Sequence, residues 1–138
     1  RAHCFWRYRI CLFDAQKYPD FVKENTGVGL LKIQVFTANQ AFPLEGVNIV
    51  ISRVIDGDKV IFFTGATDSS GIIDNINLPT KASKADVLSP EDIIYTNYDV
   101  LAEYSKNNAV QDYTVTVFDD IKVIQPIKFA TVGGDMSE

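Results

Sequence analysis

Residues 47–64 read VNIVISRVIDGDKVIFFT, and this stretch decides the fold. Val47, Ile49 and Ile51 alternate with Asn48, Val50 and Ser52, the period of two that marks a half-buried strand. Asp56-Gly57 is the dipeptide that a two-residue hairpin turn favours, because both central positions need positive φ. A second run of strand-forming residues, 59–64, follows at once. A strand, a tight turn and a strand make an antiparallel hairpin in the middle of the chain.

The same alternation extends to either side. Residues 29–36 put Leu31, Ile33 and Val35 on one face, and residues 39–46 form a connection carrying Pro43 and Gly46. Asp68-Ser69-Ser70-Gly71 is a turn leading into a strand over 72–78, which Pro79 is expected to stop. Residues 81–97 lack alternation. Within them Ser89-Pro90-Glu91-Asp92 carries an N-cap, a proline at the first helical position and acids in the first turn, predicting a short helix. Strands over 98–104, 113–118 and 121–129 close the chain, and Pro126 confines the last of them to an edge or a bulge. The expected fold is therefore all-β: a seven-stranded antiparallel β-sandwich without long crossover helices. The expected organisation is an N-terminal extension over 1–27 that forms an extra strand, a sandwich over 28–130, and a tail over 131–138.

Composition narrows the function classes. At 138 residues the chain has one domain's length, with 46% hydrophobic and 22% charged residues, ordinary for a globular protein. The formal net charge of −5 gives no support to nucleic-acid binding. Arg1, Arg7 and Arg9 interleaved with Trp6 and Tyr8 are too small a basic footprint to reverse that. No apolar run approaches the roughly eighteen residues of a membrane span. Arg7 and Arg9 also break the continuous apolar region that a secretory signal would need.

Catalytic chemistry finds little to work with. His3 is the single histidine, so a nucleophile–histidine pair would have to sit on a terminus rather than on a rigid element. A zinc site from His3, Cys4 and Cys11 lacks a fourth ligand and the usual short cysteine spacing. Redox dithiols normally have two intervening residues, and here there are six. Asp56, Asp58, Asp68, Asp74, Asp119 and Asp120, with Glu91 and Asp92, lie in turns, at strand ends or at the short helix, where acids serve the local backbone. A calcium site at Asp56/Asp58 or Asp119/Asp120 would lack a ligand series. No catalytic residue, metal or cofactor is expected.

The opening residues, RAHCFWRYRICLFDAQ (1–16), read best as a strand. Cys4, Trp6, Tyr8, Ile10 and Leu12 then share an apolar face suited to assembly, while Cys11 points to the other side. In one extended strand the two sulfurs are separated by roughly 23 Å at ~3.3 Å per residue. A disulfide needs Cα atoms within about 7 Å. In that geometry Cys4 and Cys11 are either free thiols or partners in inter-chain disulfides.

Four segments carry a family resemblance: PLEGVNIVI (43–51), TDSSGIIDNINLP (67–79), YDVLAEY (98–104) and FDDIKVIQPIKF (118–129). Together they resemble carboxypeptidase-regulatory-like domains, small transthyretin-like β-sandwiches. The last is similar to the accessory domain of bacterial spore cortex-lytic enzymes. The resemblance covers about 28–130 and implies a non-catalytic module. Two functions follow as expectations. One is a structural protein of a bacterial cell or spore surface, extracellular, which adds its N-terminal strand to copies of itself and builds a fibre or lattice. The other is an accessory or pro-domain of a peptidoglycan-lytic enzyme, with peptidoglycan as partner.

Overall fold

The computed structural model describes residues 4–5, 10–37, 42–82, 95–106 and 108–130, with side chains from residue 10 onward. Strands β1 (Cys4–Phe5) and β2 (Ile10–Leu12) precede a short helix, α1 (Pro19–Glu24). Seven further strands follow: β3 (Gly27–Thr37), β4 (Asn48–Ile55), β5 (Asp58–Ala66), β6 (Ile72–Thr80), β7 (Thr96–Tyr104), β8 (Ala109–Val117) and β9 (Lys122–Phe129). They form a β-sandwich. The larger sheet has the order β1-β2-β5-β4-β7-β8, and the smaller one β6-β3-β9.

The β4–β5 hairpin forms as its turn chemistry dictates. Asp56 and Gly57 have φ of 53° and 82°, the left-handed pair that a tight hairpin turn requires. Leu31, Ile33 and Val35 of β3 face Ile49, Ile51, Val100 and Ala102 of the larger sheet, all essentially buried. At the next turn the Asp68 carboxylate accepts hydrogen bonds from the backbone N–H groups of Ser70 and Ile72, at 2.9 and 3.0 Å. Gly71 completes that turn with φ of 73°.

Four expectations change. The sandwich is not wholly antiparallel, because β3 runs parallel to β9 and β2 parallel to β5. The β3–β9 case has a local cause. The turn before β9 is tied to the start of β3, with the Val28 N–H donating to Asp119 Oδ1 at 3.0 Å and the Asp120 N–H to the Val28 carbonyl at 2.8 Å. Both strands therefore leave the same end in the same direction. Pro79 does not stop β6 but lies within it, opposite Val28. Residues 4–12 are not one strand: β1 and β2 pair antiparallel, with Cys4 registered opposite Cys11. The N-terminal extension, expected to form a strand, also contains the helix α1. The expected helix over 89–92 and the tail over 131–138 lie outside the described residues. Pro126 falls on β9, an edge strand, as its missing N–H requires.

The N-terminal docking site, a candidate functional site

The N-terminal segment packs against the larger sheet through a small core of its own. Strand β2 adds to β5 in parallel, pairing Ile10 with Lys59, Cys11 with Val60 and Leu12 with Ile61. The Phe13 N–H donates to the Ile61 carbonyl at 2.9 Å and extends that ladder by one bond. This register selects the face. Cys11 sits on the inner side with Val60 and is 2% exposed, whereas Leu12 is 46% exposed. The inner seat is therefore taken by Cys11, with Phe13 packed against the cluster beneath it, while Leu12, on the face expected to serve assembly, is exposed. Trp6 and Tyr8 lie outside the described residues, and of Cys4 only the backbone is described.

Helix α1 completes the site. Pro19 occupies its first turn with Asp20, and Phe21 is its buried residue. Tyr18, Phe21, Ile55 and Val60 form a buried cluster, with Phe13 and Phe62 packed against it. Phe62 is the hub. Its ring stacks on Phe13 at 4.5 Å, meets Phe21 at 5.6 Å and meets Tyr98 edge-on at 5.0 Å. It reaches all three because the β4–β5 register shifts between Ile51 and Ser52, leaving Phe62 without a register partner. Both Phe62 and Phe63 then pack against the main core. The Tyr18 hydroxyl donates to Asp58 Oδ2 at 3.3 Å.

The cysteines take a different arrangement from the expected one. Cys11 is disulfide-bonded. The chain has one other cysteine, Cys4, and the β1–β2 register puts it directly opposite. Antiparallel partners have Cα atoms about 4.5–5.5 Å apart, inside the range a disulfide spans. The separation of roughly 23 Å belonged to a single extended strand, and the fold-back removes it. Inter-chain cross-linking is not needed to oxidise these residues.

The acidic side chains serve the backbone. Asp68 and Asp119 cap turns as described above. Asp74 pairs with Lys122 at 2.8 Å on the outer face of the smaller sheet. That hydrogen bond, with a second from the Asn75 N–H, holds the Asp74 carboxyl below its ordinary value. Among the described residues no group of three or more His, Cys, Asp or Glu side chains could hold a metal ion. Asp56 and Asp120, from the two candidate calcium pairs, have positive φ and occupy turn positions.

Phe13, Tyr18, Phe21 and Phe62 build the site without having been among its expected residues. For α1 the signal was present in Pro19-Asp20, the same proline-then-acid start that was read at Pro90. For Phe62 there was none, since a bulge leaves no mark in an unbroken apolar run.

No family model matches the chain, and no curated protein matches it. Among solved structures it is similar to a 5-hydroxyisourate hydrolase from Klebsiella pneumoniae, with 18% identity and a TM-score of 0.49, covering 76% of this chain and 92% of that one. It is also similar to transthyretin from Sparus aurata, with 14% identity and a TM-score of 0.46, covering 73% and 90%. The activity in the first name belongs to that protein.

Proposed function

We propose that the protein is a non-catalytic interaction module of the carboxypeptidase-regulatory-like kind, a structural component of a bacterial cell or spore surface that assembles by exchanging its N-terminal strand. In the exchanged form β2 and Phe13 leave their own β5 and occupy the same seat on a neighbouring copy. The observation that carries this is the seat itself. It lies on a sheet edge, takes a strand of only three residues, and is completed by a separate aromatic cluster. An exchanged strand would keep every one of those contacts, so the exchange costs little beyond association entropy. If each copy donates to the next rather than back, the contact does not close and a fibre grows.

Two further features support the proposal. The carboxylates at Asp68, Asp74 and Asp119 are engaged in turns and an ion pair, the roles of a scaffold. The bonded state of Cys11 suits an oxidising compartment, as a surface location would be. Sedimentation equilibrium of the full chain over a range of concentrations tests it. Assembly that disappears when residues 1–16 are removed is the expected result. A chain that stays monomeric at every concentration, oxidised or reduced, overturns it.

One observation favours a second reading, an accessory binding or pro-domain of a peptidoglycan-lytic enzyme. The N-terminal segment occupies its own sandwich here, as such a domain would have it. Co-pelleting with purified peptidoglycan distinguishes the two, because retention of a monomeric chain supports only this one.

A further inference from the structure

The edge of β5 is closed by very little backbone. Three residues of β2 and the Phe13 N–H hold it, and β2 is in turn paired with β1 through two residue pairs. A two-stranded ribbon of this length has no stability of its own in water. What ties it together is the disulfide at Cys11, whose side chain lies buried against β5 beside Val60. We propose that this disulfide is a reducible clasp on the β5 edge. Oxidised, it keeps β1 folded onto β2 and β2 in its seat. Reduced, it lets the ribbon come apart and leaves β5 open to an incoming strand.

The burial of Cys11 couples the chemistry to the opening. At 2% exposure the Cys11 sulfur is shielded while β2 sits on β5, so attack at that sulfur requires β2 to lift. The step balances with an external dithiol. The protein S–S bond breaks, its two sulfurs take up two electrons and two protons, and the dithiol gives up both while closing its own S–S bond. Reoxidation reverses this. The identity of the incoming strand, the same segment of a second copy, rests on the strand exchange proposed above. The clasp does not.

Hydrogen exchange on the full chain, purified oxidised, separates the two. Amide exchange is followed in β5 and β7 with and without dithiothreitol, and again in Cys4→Ser, while sedimentation velocity reports size on the same samples. We expect β5 exchange to rise on the order of tenfold on reduction and equally in Cys4→Ser, with β7 unchanged. Unchanged β5 exchange overturns the clasp. So does a matching rise in β7, since the disulfide would then be holding the whole sandwich rather than one edge. Faster β5 exchange with concentration-dependent dimers upholds both proposals. Faster β5 exchange in a chain that stays monomeric upholds the clasp and overturns strand exchange.

Discussion

Tyr98 ties the two sheets together with one hydroxyl. It sits on β7, is 1% exposed, and its O–H donates to the carbonyl of Pro79 on β6 in the opposite sheet. Burial drives its phenol well above the ordinary value of 10, and the nearby Arg53 charge only partly opposes this. Below pH 10 both folded and unfolded chains hold the proton, so the contribution is intact. Above it the unfolded chain ionises first, and stability falls as pH rises toward the folded value. Tyr98→Phe should lose about 1 kcal/mol at neutral pH and show a shallower loss above pH 10, measured by urea denaturation at several pH values. Gly29 is a second single-residue constraint. A Cβ there would collide with Val117 Cγ1 and lie 2.8 Å from the Phe118 carbonyl oxygen, where β3 crosses the end of β8. Gly29→Ala should cost about 1–3 kcal/mol, seen as a lowered urea midpoint with an unchanged slope. Alternation reveals that Tyr98, Val100 and Ala102 point inward. The acceptor of the Tyr98 hydroxyl and the neighbour of Gly29 are set by sheet-on-sheet packing, which one sequence does not encode locally.

At the scale of elements, the strands of the sandwich were legible and the joints between them were not. The Asp56-Gly57 and Asp68–Gly71 turns announce themselves because their backbone conformations restrict residue choice. Parallel pairing of β3 with β9 does not, since it depends on a turn anchored to a strand about ninety residues away in sequence. The edge of β9 and the β5 edge that β2 covers differ in a related way. On β9 the Lys128 N–H is taken by the Tyr113 hydroxyl at 3.4 Å, Pro126 has no N–H, and the Pro126 carbonyl accepts from Gln125 Nε2 at 2.8 Å. Such an edge is blunted against strand addition. The β5 edge is closed instead by β2, with Phe13 stacked on Phe62. Phe13→Ala removes that stack and should destabilise the docked segment by about 1–3 kcal/mol. Faster amide exchange in β2 and β5 is the expected readout. Protection in β3 and β7 should persist, because their core is built from other residues.

The whole molecule is two unequal cores joined by Phe62. The larger fills the space between the sheets, and the smaller lies beneath the N-terminal segment. This division was half visible in the sequence. An apolar opening segment outside the family resemblance marks something that packs separately. The parity of its strand and its return through a hairpin are decided by the β5 seat, and residues 1–16 alone do not specify them. Because the larger core excludes Cys11 and Phe13, a chain lacking residues 1–16 should still fold and should leave the β5 edge unfilled. A synthetic peptide of residues 1–16 is then expected to bind it in trans. Trp6 is the only tryptophan of the protein, so in this mixture the peptide alone carries that fluorophore. Its anisotropy should rise to saturation with added truncated chain. The oxidised full-length chain, whose own segment fills the seat, should bind the peptide poorly, measured with an extrinsic dye on the peptide because that chain has its own Trp6. Absence of binding by a truncated chain that retains its β7 protection would sink the idea of a transferable strand. Equal binding by the oxidised full-length chain would move the peptide's site away from the β5 edge.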